Sequence, residues 1–246
     1  MTKSEYLLDP CRVSSLPYWK TVTVQIPEGM RILHESDLRD APLGSETPVR
    51  YFRLIHRLCS LECPAVPEGY TVTPLTPEMG AAHIQQCYDD ISVSAEELAA
   101  YQSRKVYDGT LWLAVREHST GKIVASGIGE LDRELREGML EWIQVSLKYR
   151  RKGLGAFLVR ELLWRMKGKT DYVTVSGKVD DPSRPEQDCS VPCPREIAAH
   201  HRGKLPHLRR TGGSPLRPLL PDAENQHRKI QQLLQRRFHY ENCSYL

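Results

Sequence analysis

The 246-residue chain has no run approaching the roughly 18–20 apolar residues that a membrane-spanning helix needs. Its opening, Met1 to Pro10, has no apolar core of the kind a secretory leader carries. These absences predict a cytoplasmic protein with no membrane partner. The seven cysteines (Cys11, Cys59, Cys63, Cys87, Cys189, Cys193 and Cys243) are odd in number and irregularly spaced, which argues against a disulfide framework. Cys59/Cys63 and Cys189/Cys193 have C-x₃-C spacing, whereas zinc sites more often use C-x₂-C or C-x₄-C, so no metal is expected. The formal net charge is only +3, too small to imply a nucleic-acid partner. Two common phosphate fingerprints are also missing. No G-x-G-x-x-G follows a strand, and Gly168-Lys169-Thr170 would need its earlier Walker glycine at Leu163, in mid-helix.

The chain does have the composition of a soluble globular protein, 40% hydrophobic and 26% charged. The balance is uneven. Residues 184–246 carry 11 Lys/Arg against 6 Asp/Glu, with 7 of the 17 prolines and 5 of the 9 histidines. That shift divides the chain into three parts: an N-terminal extension packing on the core (1–66), a core (67–186) and a basic Pro/Arg/His-rich tail (187–246). The bland reading of the tail is disorder. A change of reading frame near Glu186 would also produce so abrupt a shift. A nucleic-acid-binding tail is disfavoured, because aromatic residues are nearly absent from it.

Hydrophobic periodicity orders the elements. In the extension, Glu5–Leu8 predicts a helical turn, Thr21–Ile26 alternates like a strand, and Val49–Leu58 fits a strand or a helix. In the core, Tyr70–Thr73 predicts a strand. Pro77–Tyr88 predicts a helix capped by Thr76, and Ser94–Ser103 a second, with Ser94 and Glu97 as a capping box. Leu111–Arg116, Ile123–Leu131 and Met139–Val145 read as an antiparallel meander. A third helix runs from Leu154 to Lys167, and Tyr172–Ser176 is a fifth strand. The order β-α-α-β-β-β-α-β predicts an α/β (α+β) fold, a mixed, mostly antiparallel sheet flanked by helices.

The junction of the fourth strand and third helix is the most informative stretch. Val145 is followed by Arg150-Arg151-Lys152-Gly153-Leu154-Gly155-Ala156, a basic, glycine-bearing turn that opens a helix. Unpaired N–H groups and the helix dipole make such a turn an anion cradle, and its glycines let a phosphate approach the backbone. The spacing R-x-x-G-x-G resembles the acetyl-CoA-binding motif of the GNAT N-acetyltransferases, whose element order is the one predicted here. Leu140-Glu141-Trp142-Ile143-Gln144-Val145 and Tyr172-Val173-Thr174-Val175-Ser176-Gly177-Lys178-Val179 resemble a bacterial branch of that superfamily. Glu5-Tyr6-Leu7 and Pro17-Tyr18-Trp19-Lys20 resemble its N-terminal extension. The likeness covers roughly residues 1–186. It departs at Leu147, where proline is common, and at Arg151, where glycine is common.

The resemblance implies transfer of an acetyl group from acetyl-CoA, as co-substrate, to a primary amine of a small molecule. It places acyl-CoA on Arg150–Ala156 and along Ile143 to Val145, with the pantetheine arm lying as an added strand. The attacking amine must lose a proton, and a carboxylate near the strand suits that task. Glu130, Asp132, Glu134, Glu137 and Glu141 are available. Glu134 and Glu137 are expected to be solvated in a turn. Glu141 is the first choice, placed by period two on the face of Ile143 and Val145, and Glu130 the second. The competing reading of Glu141 is a solvent-facing or ion-paired charge. The family's acid tyrosine is expected after the fifth strand, in a helix reading like L-Y-R-x-x-G-F, but no Tyr lies between Tyr172 and Tyr240. The alternative function is therefore an acyl-CoA-binding protein with weak or no catalysis. A homo-oligomer is left open.

Overall fold

A computed structural model describes residues 1–14, 16–23, 51–88 and 91–178. The expectations for the tail lie outside these residues. Two short helices come first, α1 (Lys3–Leu8) and α2 (Tyr18–Thr23). Then follow β1 (Tyr51–His56), β2 (Tyr70–Pro74), α3 (Pro77–Cys87), α4 (Ala95–Tyr101), β3 (Tyr107–Glu117), β4 (Ile123–Asp132), β5 (Glu137–Val145), α5 (Leu154–Met166) and β6 (Tyr172–Lys178). The six strands form one sheet in the order β1-β6-β5-β4-β3-β2. All neighbours are antiparallel except β5 and β6. This is the mixed, mostly antiparallel sheet that the element order predicts. The fourth core strand of the sequence reading is β5, because β1 precedes the core.

Local chemistry explains the helix starts. The Thr76 hydroxyl accepts from the Met79 N–H with Pro77 in the first turn. Ser94 and Glu97 close a reciprocal capping box. Thr2 and Glu5 close another at α1. Helix α5 packs one face of the sheet, burying Leu158, Leu162 and Met166 with Leu113, Val115 and Ile143. On the other face α3 and α4 bury Ile84 and Leu98 with Trp112, Ile128 and Trp142. Each such side chain contributes about 1.5–3 kcal/mol on burial.

Two expectations for the extension meet the structure differently. Within Val49–Leu58 the described residues Tyr51–His56 form strand β1, paired antiparallel with β6. Thr21–Ile26 is not a strand in its described part, because Thr21 to Thr23 continue helix α2. Both threonine hydroxyls donate one turn back, Thr21 to the Pro17 carbonyl at 3.0 Å and Thr23 to the Trp19 carbonyl at 2.7 Å. Burial of Trp19 and Lys20 against the sheet then outweighs β-propensity.

Candidate active site

Between β5 and α5 the chain makes a short 3₁₀ turn, Leu147–Tyr149, and then two left-handed residues. Arg151 has φ +64° and Gly153, the N-cap of α5, has φ +75°. Gly153 has no side chain to cap the helix, and the first intrahelical bond runs from Phe157 N–H to the Gly153 carbonyl at 2.9 Å. The N–H groups of Leu154, Gly155 and Ala156 therefore have no acceptor within the helix. Leu154, Gly155 and Ala156 are themselves buried, with the side chains of Leu154 and Ala156 in the core. A Cβ at Gly153 would meet nothing within 4 Å, which leaves that face open. Val145, Tyr149, Arg150, Arg151, Gly153, Leu154 and Gly155 line a small concavity there. Arg150 is anchored by its Nε, which donates to the Val145 carbonyl at 3.2 Å, while Arg151 and Lys152 are exposed. This donor set and charge fit a pyrophosphate.

Beside the cradle the sheet opens. Strands β5 and β6 pair in parallel only over Glu137–Met139 and Tyr172–Thr174. Beyond Met139 that ladder ends, although β5 continues to Val145 and β6 continues along β1. Ile143 and Val145, expected to carry the pantetheine arm, lie on this stretch.

The same stretch contains a β-bulge. Glu141 pairs with Ile128 and Gln144 with Ser126, so Trp142 and Ile143 together face Gly127. Trp142 takes up the extra residue with φ +49°. This overturns the period-two placement of Glu141. Leu140, Ile143 and Val145 pack toward α5, whereas Trp142 packs toward α3 and α4. Glu141 stands on the same side as Trp142, away from Ile143, because one inserted residue reverses the alternation.

On that side Glu141 is buried and ion-paired with Lys20 of α2. Glu130 is buried beside them, and its Oε1 accepts from Arg104 at 2.6 Å. Its Oε2 has no hydrogen-bond partner. Burial, reinforced by Glu141, raises the Glu130 pKa against the pull of Lys20 and Arg104. Burial works against the Lys20 ammonium, but Glu141 and Glu130 outweigh it and hold its pKa above the usual lysine value. Aromatic rings complete the wall. The Arg104 guanidinium lies 3.1 Å from the Tyr101 ring centroid and 5.3 Å from that of Trp19. Trp142 Nε1 donates to the Tyr101 hydroxyl at 3.4 Å.

The remaining acids take structural places. Glu134 is exposed and pairs with Lys3 at 3.1 Å, as a solvated turn residue should. Glu137 is not solvated. It is fully buried and accepts from the Tyr6 hydroxyl, Arg53 Nη2 and the Thr174 hydroxyl at 2.7–2.9 Å. It begins β5 rather than belonging to the preceding turn, which is why it points inward. Asp132 accepts from the Glu134 and Leu135 N–H groups and caps that turn.

Sequence reasoning missed Lys20, Arg104 and Tyr101, which are far from Glu141 in the chain and carry no local pattern. It also missed a buried polar cluster behind the cradle. His83 Nδ1 lies 2.7 Å from the Ser126 hydroxyl and its Nε2 2.9 Å from that of Ser146. Cys87 Sγ is 3.7 Å from the same Nε2. Burial lowers the His83 pKa to about 4. A polar residue on the inward face of α3 was the available signal.

Among the described residues no group of His, Cys, Asp and Glu could hold a metal ion. In the same residues no helix is long and apolar enough to cross a membrane.

Residues 79–187 match the acetyltransferase (GNAT) family. The match runs from within α3 past the end of β6 and stops where the composition changes. Its fold is similar to that of a GCN5-related N-acetyltransferase from Sphaerobacter thermophilus, with 21% identity over 54% of this chain and 44% of that one, at a TM-score of 0.45. It is also similar to the ribosomal-protein-S18-alanine N-acetyltransferase from Escherichia coli, with 27% identity over 40% and 59%, at 0.32. A third likeness is to glucosamine-6-phosphate N-acetyltransferase from Arabidopsis thaliana, with 20% identity over 43% and 80%, at 0.33. The chain thus spans less than two thirds of the first two. No curated protein matches it.

Proposed function

We propose that this protein is an acetyl-CoA-dependent N-acetyltransferase acting on a primary amine of a small molecule. The observation that carries the reading is the cradle. Three helix N–H groups behind a left-handed Gly153, flanked by Arg150, Arg151 and Lys152, follow the end of β5, whose last residues do not pair with β6. The N–H groups of Leu154, Gly155 and Ala156 bind the pyrophosphate, and the basic turn neutralises its charge. The extended arm runs along β5 toward the bulge. Acetyl-CoA supplies the acyl group as a thioester. Glu141, presented at the bulge, accepts the proton that the amine must lose. Glu130, one strand away, is the second candidate for that role.

Calorimetric titration of the full chain with acetyl-CoA tests the cradle. Binding heat is expected for the native chain and none for the double variant Arg150→Glu, Gly153→Glu; retained affinity would remove the cradle from the site. Thiol release over a panel of amino sugars, polyamines and peptide N-termini tests transfer. The lack of a tyrosine between Tyr172 and Tyr240 favours one other reading, an acyl-CoA binder with little turnover. Binding without thiol release would select it.

A further inference from the structure

Helix α2 lies outside the residues that match the acetyltransferase family, yet it delivers a charge to the candidate base. Lys20 is buried, its side chain 4% exposed, and its ammonium contacts the Glu141 carboxylate. Trp19 beside it is fixed to β5 by its Nε1, which donates to Met139 Sδ at 3.2 Å. Two residues of one short helix therefore register on alternate inward positions of β5, Met139 and Glu141.

We propose that Lys20 is a positioning residue for the transfer reaction, fixing the Glu141 carboxylate at the β5 bulge. The proposal rests on Glu141 being the base. Among the described residues, Lys20 of α2 meets Glu141 and faces Glu130 of β4, Arg104 just past α4 pairs with Glu130, and Tyr101, the last residue of α4, lies beside both cations. Arg104 is committed to Glu130 by a 2.6 Å contact and to the Tyr101 ring. With Lys20 present, two carboxyls face two cations. Without it, two buried carboxyls share one guanidinium, and the wall takes up a proton. A carboxyl that carries that proton cannot accept one from an amine. The extension thus completes the site.

The test compares Lys20→Met and Lys20→Arg in the full chain. kcat/KM is followed from acidic to alkaline pH with acetyl-CoA and whichever panel amine releases thiol fastest. In Lys20→Met the acid limb of the profile is expected to move upward by about one to three pH units, with a roughly tenfold loss per unit at the acidic end. In Lys20→Arg, which keeps the charge, the limb is expected to stay. An unmoved limb in the Met variant, or an equal shift in both, would overturn the proposal. A structural role alone would lower the melting temperature without moving the limb. Glu141→Gln separates the two claims. If it leaves the rate unchanged, the base assignment fails and this proposal with it. If it lowers the rate while Lys20→Met leaves the limb in place, only the role of Lys20 fails.

Should Lys20→Met not fold, acetic-anhydride labelling at alkaline pH gives a second measurement. In the native chain Lys20 is expected to label at least about tenfold more slowly than exposed Lys152, and Glu141→Gln is expected to speed it. Equal rates at Lys20 and Lys152 would overturn the pairing and the proposal.

Discussion

Gly127 and Ile143 meet across the β4–β5 pair so closely that a methyl group on Gly127 would lie 2.7 Å from Ile143 Cδ1. Leu158 and Leu162 of α5 stand 3.2 Å from the same point. Gly127 is the residue opposite the bulge, and its missing side chain is what lets Ile143 turn inward while Trp142 turns the other way. Gly127→Ala should therefore cost about 1–3 kcal/mol by overpacking. Chemical denaturation measures the loss. Acetyl-CoA affinity should fall with it, because Ile143 and Val145 share the displaced strand. Unchanged stability would mean that the bulge tolerates the extra volume.

The ion pair of Arg53 and Glu137 ties the extension to the core. Arg53 Nη2 lies 2.9 Å from Glu137 Oε1, with side chains 4% and 0% exposed. Burial raises the Glu137 pKa against the opposing pull of Arg53 and the hydroxyls of Thr174 and Tyr6. Removing one partner of such a pair leaves a buried charge unmatched. Arg53→Met is expected to destabilise by about 3–5 kcal/mol, and the double variant Arg53→Met, Glu137→Leu by much less. Urea titrations of the single and double variants provide the comparison. Equal losses in both would show packing, not charge, to be the tie.

His83 makes stability depend on pH. Burial favours its neutral form, so the folded state binds a proton only near pH 4, whereas the unfolded chain binds it near the ordinary histidine value of 6.5. Its pKa is depressed on folding. The resulting stabilisation is fully present above pH 6.5 and is lost as pH falls toward 4. The contribution is about 3 kcal/mol at neutral pH. In His83→Gln the slope of unfolding free energy between pH 6.5 and 4 should flatten by about one proton. An unaltered slope would place the titration elsewhere.

Arg151 is held at φ +64°, a conformation that costs a non-glycine residue about 1–2 kcal/mol. Arg151→Gly should raise stability by up to about 1 kcal/mol, part of the relief being offset by the flexibility of glycine in the unfolded chain. It should also weaken acetyl-CoA binding, with a smaller salt dependence, because one exposed cation leaves the cradle. Calorimetry at two ionic strengths resolves the two effects.

Thiol reactivity should follow burial. Burial raises the Cys11 and Cys87 pKa values to about 11, while Cys63 is exposed. Iodoacetamide near pH 8 should modify Cys63 before Cys11 and Cys87, as mass spectrometry of the digested chain will record. Faster labelling of Cys87 would indicate that the polar cluster around His83 opens.

Much of this arrangement is written locally in the chain. Thr76, Ser94 and Glu97 fix helix starts through bonds spanning three residues, and the spacing of Leu158, Leu162 and Met166 fixes the buried face of α5. The cradle is equally local, since Arg150 to Ala156 carry both the charge and the helix N-terminus. The glycine common where Arg151 stands marks a position whose backbone is left-handed. The placement of Glu141 is not local. Alternation along β5 places it with Ile143, and only the pairing of β5 with β4, which forces Trp142 out as an extra residue opposite Gly127, turns it to the other face. Its counter-ion is more distant still, because Lys20 and Glu141 are 121 positions apart in sequence. The sequence by itself determined the basic turn and the helix start behind it, because helix ends and turns depend on neighbouring residues. The tertiary structure decided which carboxylate faces which cation, because strand register and charge balance exist only once distant segments are packed together.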